Sequence, residues 1–135
     1  MSQQPQLTIS GFRGVWGESL TTEIATNYAR AFLSLIQEEN KNPIILIARD
    51  GRESGLEIQN SLINFLQKEN VKIVDAGILP TPTVLFSVRK NKYDGAIIIT
   101  ASHNPIEYNG LKFVNRGAFF LTKDEVEKIK NYYGK

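Results

Sequence analysis

Directly after an apolar run at Ala96-Ile97-Ile98-Ile99, the chain reads Thr100-Ala101-Ser102-His103-Asn104-Pro105, which sets a hydroxyl, an imidazole and an amide in succession. Pro105 restricts this loop and pushes Asn104 away from helical geometry. Gly110 is read as a place where the backbone can approach a ligand. A Ser-His-Asp hydrolase needs its imidazole to face the serine across space. His103 is the only histidine and sits next to Ser102, so its ring points elsewhere, and no Gly-x-Ser-x-Gly elbow surrounds the serine. Phosphate chemistry suits these residues better. A phosphoserine carries about −1.5 to −2 charges near neutral pH and needs cations and N–H donors around it. His103, Lys112 and Arg13 are candidates to supply them. Neither Gly-x-x-x-x-Gly-Lys-Ser/Thr nor Gly-x-Gly-x-x-Gly occurs, so the phosphate is not read as part of a nucleotide by either of those loops.

The elements that would position these groups follow from apolar spacing. Ile24, Tyr28, Ala31, Phe32 and Leu35 recur at helical intervals, with Thr21 or Thr22 as cap. Ile44–Ala48 is a continuous apolar run, as in a strand covered on both faces. A second helix carries Ile58, Leu62, Phe65 and Leu66, with Ser54 as its expected cap. Val71–Ala76 reads as a strand. Thr81 followed by Pro82 reads as a cap and a first helical position. Asp94-Gly95 then turns into the strand before Thr100. Leu111–Val114 and Ala118–Leu121 flank Asn115-Arg116-Gly117 as a hairpin, and Thr122 with Glu125 form a capping box for a last helix. This alternation implies an α/β fold, a three-layer α/β/α domain whose mixed, mostly parallel sheet has about four strands plus a small hairpin. Residues 1–135 read as one domain without repeat or linker.

Composition narrows the function classes. With 41% apolar and 22% charged residues and a net charge of +2, the chain is an ordinary globular protein with no electrostatic case for nucleic acid. It has no cysteine, which excludes disulfides and thiolate chemistry and agrees with a reducing cytoplasm. The opening Met-Ser-Gln-Gln-Pro lacks the regions of a signal peptide. No apolar run reaches the roughly 18 residues of a membrane span. A cytoplasmic protein with no membrane partner is expected.

Four segments together resemble one family. Thr100–Pro105, followed by Tyr108-Asn109-Gly110-Leu111-Lys112, is similar to the phosphoserine loop of the α-D-phosphohexomutases, the phosphoglucomutase/phosphomannomutase kind. Ser10-Gly11-Phe12-Arg13-Gly14 resembles that family's Ser-Gly-x-Arg-Gly motif. Arg49-Asp50-Gly51-Arg52 and Gly77–Thr83 (GILPTPT) match two further segments in order and spacing. One departure is Leu7-Thr8-Ile9, where the family has Phe-Gly-Thr. The resemblance covers the family's N-terminal domain I. The family's magnesium-binding Asp-Gly-Asp-x-Asp loop, its sugar-recognition loop and its C-terminal phosphate-binding loop are not in this sequence.

The resemblance implies that phosphorylated Ser102 donates to a hexose phosphate, giving a sugar bisphosphate that reorients and returns its other phosphoryl group. It interconverts hexose 1-phosphate and 6-phosphate in this way. Lys112 would assist proton transfer, and His103 would hydrogen-bond near the phosphoserine. Arg13, Ser10, Asn104 and Asn109 would contact substrate or phosphate. Magnesium would bind through a phosphoryl oxygen on Ser102, with its other ligands in the remaining domains of the same enzyme, and a sugar bisphosphate would serve as activator. Ser10 and Thr100 point to the glucose and mannose branches rather than the glucosamine branch. The isolated domain would be inactive. Arg49–Arg52 reads as a structural turn whose Arg49 supports the serine loop. The rival readings are a stand-alone phosphosugar-binding module and a scaffold with a relic loop. The retained Ser102, His103 and Lys112 argue against the scaffold.

Overall fold

Strands and helices alternate through most of the computed structural model, which describes residues 6–135; the opening residues read above for a leader lie outside that range. In order they are β1 (Phe12–Val15), α1 (Thr22–Ile36), β2 (Ile44–Arg49), α2 (Glu53–Leu66), β3 (Lys72–Ile78), α3 (Thr81–Asn91), β4 (Gly95–Ile99), β5 (Tyr108–Val114) and α4 (Lys123–Tyr132). The sheet has five strands in the order β1-β5-β4-β2-β3. β2 runs parallel to β3 and β4, while β5 is antiparallel to both β4 and β1. Four strands therefore point one way and β5 runs against them.

The connections explain why the layers form. The chain steps outward from β2 to β3 through α2, then back across β2 to β4 through α3. Parallel crossovers are right-handed, so opposite steps put the two helices on opposite faces. Side chains divide accordingly. Ile45, Ile47, Ile97 and Ile99 pack with α1, α2 and α4 in one core; Leu46, Ala48, Ala96 and Ile98 pack with Val84 and Val88 of α3 in the other. Period-two alternation within a continuous apolar run is what a strand covered on both faces requires.

Helix starts match the sequence in part. Thr21 accepts from the Ile24 N–H at 3.2 Å, and Thr122 with Glu125 closes the capping box of α4. Ser54 is not a cap: α2 starts at Glu53 with Arg52 at the cap position, and no side chain caps it. Likewise Pro80, not Thr81, precedes α3, so Pro82 falls at the second helical position.

Three expectations about the sheet need correction. The number of strands is five, because β1, which no apolar pattern marks, joins as an edge. The expected hairpin shrinks to one bridge between Val114 and Phe120, since Leu111–Val114 is the end of a longer strand pairing with β4 and β1. Gly110 does give close approach, but to the chain itself. A Cβ there would lie 2.1 Å from the Phe12 carbonyl oxygen, and one on Gly11 would lie 2.0 Å from that of Leu111. These paired glycines seat β1 against β5, and so place Arg13. Among the described residues, no helix is long and apolar enough to cross a membrane.

Candidate active site

In an open α/β sheet, ligands gather where neighbouring strands send their connections in opposite directions. Here that point lies between β2 and β4. The loops leaving them, Asp50–Arg52 and Thr100–Glu107, are bonded to each other across it. The Asp50 N–H donates to the Ile99 carbonyl at 3.0 Å, and the Thr100 hydroxyl donates to the Asp50 carboxylate at 2.7 Å.

Ser102 stands at the tip of this construction. Its backbone is left-handed, with φ +53°, a region that costs a residue other than glycine about 1 kcal/mol or more unless its surroundings impose it. The surroundings do so from both sides. The Ser102 N–H donates to the Thr100 hydroxyl oxygen at 3.0 Å, and the Arg52 guanidinium donates to the Ser102 carbonyl at 2.9 Å. Arg52 also reaches the carbonyls of Asn104, Pro105 and Tyr108, at 2.7, 2.6 and 3.0 Å. With its main chain held in this way, the exposed hydroxyl of Ser102 is left to face outward.

Arg13 meets that hydroxyl. A guanidinium nitrogen of Arg13 donates to Ser102 Oγ at 3.4 Å, joining residues 89 positions apart. The Arg13 Nε is buried and has no hydrogen-bond partner among the described residues. A buried N–H left open is costly and points to a group that completes it. Lys112 lies on the same sheet face, its register neighbour to Arg13 being Gly110, with its ammonium 5.4 Å from the centre of the Phe120 ring. Burial, and then the Arg13 cation, hold Lys112 below the usual lysine range. One cation thus meets the serine hydroxyl and a second interacts with that cation, an arrangement that suits an anion with several oxygens.

The other expected residues fall elsewhere. His103 is exposed and its imidazole bonds to no described residue. Ser10 lies exposed in the turn from Thr8 to Gly11, its N–H bonded to the Thr8 hydroxyl at 3.2 Å. The Asn104 side chain donates within the loop to the Ala101 carbonyl at 2.7 Å. Asn109 is fully buried. Its amide donates to Ser54 Oγ at 2.8 Å and accepts from the Gly110 N–H at 2.9 Å, so it braces the start of β5 instead of facing a ligand. Arg49 does not bond the serine loop directly: it donates to Gln59 at 2.8 Å and to the Asp50 carbonyl at 3.4 Å, while Arg52 holds the loop itself. Arg52, Asp50 and Thr100 are the residues missing from the sequence-derived site. Asp50 and Arg52 are signalled in the sequence by the Asp-Gly-Arg turn directly after a buried strand, and Thr100 by its place directly after another.

No three metal-ligating side chains cluster among the described residues. Asp50, the carboxylate bonded to the loop, already accepts from the Thr100 hydroxyl and the Arg52 N–H and is ion-paired with the Arg52 guanidinium at 3.4 Å. The residues present therefore do not make a magnesium site by themselves.

Residues 6–135 match the family model described as phosphoglucomutase/phosphomannomutase, alpha/beta/alpha domain I. A phosphoglucosamine mutase of Clostridium acetobutylicum is 38% identical over 122 residues, covering 88% of this chain and 27% of that protein. One from Limosilactobacillus reuteri is 40% identical over 119 residues, covering 87% and 26%. Among solved structures, a phosphoglucomutase/phosphomannomutase family protein of Burkholderia thailandensis superposes with TM-score 0.77 at 31% identity, covering 96% of this chain and 30% of its own. A candidate phosphomannomutase of Thermus thermophilus gives TM-score 0.88 at 28% identity, covering 98% and 30%. The chain spans about a quarter of the length of the curated relatives it matches.

Proposed function

The chain belongs to the phosphoglucomutase/phosphomannomutase family through its domain I, and on that footing we propose that Ser102 is the phosphoryl carrier of a hexose-phosphate mutase. The observation that carries this reading is the 3.4 Å approach of Arg13 to Ser102 Oγ. It brings a cation from one end of the chain onto a serine held in left-handed backbone at the other. In the forward half-reaction an oxygen of the sugar forms the new bond to phosphorus as the bond to Ser102 Oγ breaks; the sugar hydroxyl proton passes to a base, and Ser102 Oγ takes up a proton as it leaves. Lys112 in its uncharged form is the candidate base, since its proton is held less tightly than on a solvated lysine. Arg13 steadies the phosphoryl oxygens throughout. The reverse half returns the sugar's other phosphoryl group to Ser102. His103, exposed beside the serine, is free to hydrogen-bond the incoming sugar, and Ser10 is free to contact the substrate.

Residues 1–135 are one domain of this reading, and catalysis needs the further length that the relatives have. Magnesium, if it serves as in the wider family, takes no more than a phosphoryl oxygen from this chain, so no step is assigned to it here. The isolated domain has no mutase turnover in this account. The sugar is a hexose phosphate; the curated relatives carry the glucosamine name and the solved structures the mannose or glucose name, while Ser10 and Thr100 favour the latter pair.

The test combines this domain with the remaining domains of the Clostridium relative made as a separate polypeptide. Mutase activity should return with the wild-type domain and be absent with Ser102→Ala. Activity that survives Ser102→Ala would end the assignment.

A further inference from the structure

We propose that Arg52 is a positioning residue that sets where the Ser102 phosphoryl group stands, without touching it; this rests on the reading of Ser102 as the carrier. A guanidinium has five N–H donors in a fixed fork. In Arg52 one terminal nitrogen donates to the carbonyls of Pro105 and Tyr108, the other to those of Ser102 and Asn104. Nε lies 3.4 Å from the Asp50 carboxylate, and the side chain is only 11% exposed. The four terminal N–H donors are therefore engaged, with Nε in ion-pair range of a carboxylate, and the four carbonyls belong to the whole span from the serine to the first residue of β5.

The same carboxylate ties the other side of Ser102. Asp50 accepts from Thr100 at 2.7 Å, and Thr100 accepts from the Ser102 N–H at 3.0 Å. Asp50 and Arg52 thus grip one residue by its N–H and its C=O, and the φ of +53° is the result. With the peptide fixed in this way the side chain is directed at Arg13. Phosphoryl transfer depends on placement, and a shift of about 1 Å at the reacting group costs about a hundredfold in rate. The structure therefore makes Arg52 a determinant of geometry rather than of charge. A lysine preserves the charge but has three donors on one atom, which do not span four carbonyls.

The experiment uses phosphoserine encoded at position 102 in the 135-residue chain and follows its second ionisation by phosphorus NMR. Free phosphoserine titrates near about 6. The wild-type group should titrate lower, and Arg13→Gln should move it back toward the free value, which checks the carrier reading on its own. Arg52→Lys should also move it back, by at least half the Arg13→Gln shift, and broaden the resonance as the loop samples other conformers. A wild-type titration in Arg52→Lys, with a shift in Arg13→Gln, overturns the positioning role and leaves the carrier reading standing. So does a shift confined to Arg52→Gln, which would make Arg52 merely a nearby charge. A group that titrates as free phosphoserine in the wild type, unmoved by Arg13→Gln, defeats the carrier reading instead. Should the lysine variant lose cooperative melting, Arg52→Gly with added ethylguanidinium replaces it. Recovery of the wild-type titration supports positioning, and failure to recover it overturns it.

Discussion

Thr100→Val tests whether the serine loop is held by the hydroxyl bridge rather than by packing alone. Valine keeps the shape of threonine and removes two hydrogen bonds: the 2.7 Å donation to Asp50 and the 3.0 Å acceptance from Ser102 N–H. A bond to a charged group contributes about 1.5–3 kcal/mol and a neutral one about 0.5–1.5. Both orphaned groups have some access to water, because the Asp50 side chain is 33% exposed and Ser102 is at the surface. Partial rehydration brings the expected loss to the lower part of that range, about 2 kcal/mol. For a chain of this size that lowers Tm by about 8 °C. Thr100→Ser keeps the hydroxyl and should cost less than about 1 kcal/mol, the contribution of one buried methyl group. Urea unfolding of the three proteins measures the difference, and hydrogen exchange locates it: the Ser102 amide should exchange at least about tenfold faster in the valine variant, the equivalent of about 1.4 kcal/mol. If Thr100→Val and Thr100→Ser unfold within about 0.5 kcal/mol of each other, the bridge does not hold the loop and the account of the left-handed serine fails.

Two further outcomes follow from the same geometry. Because Lys112 is held below its ordinary range by burial and by Arg13, the unfolded chain binds more protons between that lowered value and about 10.4, so the lysine's contribution to stability rises with pH across the interval. Lys112→Met should therefore be the more stable protein at neutral pH, with an advantage that narrows as pH climbs through that interval. Tyr28 and Tyr133, raised chiefly by burial, act in the opposite sense, so the quantity to measure is the difference between the two proteins in parallel urea titrations; an advantage that grows with pH would refute the sign. Gly110→Ala places a Cβ 2.1 Å from the Phe12 carbonyl, which forces β1 off the sheet edge. It should cost at least about 3 kcal/mol in urea unfolding, whereas Gly51→Ala, whose Cβ would meet nothing within 4 Å, should change stability by less than about 0.5 kcal/mol.

Much of the fold is legible in the chain because its signals are local. The apolar run at Ile44–Ala48 and the helical spacing of Ile58 and Leu62 report burial that each element imposes on its own residues. β1 carries no such signal. Its four residues, Phe-Arg-Gly-Val, are too few for a period, and it is a strand only because β5 offers a partner and two glycines let the backbones close. The hairpin expectation fails for a related reason: Asn115-Arg116-Gly117 is sound turn chemistry, but the strand before it is already committed to neighbours on both sides.

The site shows the same division between what a residue type can do and what the fold asks of it. Asn104 and Asn109 have side chains able to hold a sugar, and a sequence reader assigns them to one. The fold must satisfy its own polar groups as well, and each of these amides donates inside the protein, one to the Ala101 carbonyl and one to Ser54. Arg52 illustrates the converse. In sequence it closes an Asp-Gly-Arg turn and has no evident partner, since the carbonyls it holds lie 50 to 56 positions away. Only the crossing of connections between β2 and β4 brings them within reach. A serine that repeatedly gains and loses a doubly charged group cannot rely on side-chain contacts that change with each transfer. Under the proposed carrier role the fixed reference has to be the main chain, and here the main chain is held by Arg52, whose terminal nitrogens donate to four of its carbonyls.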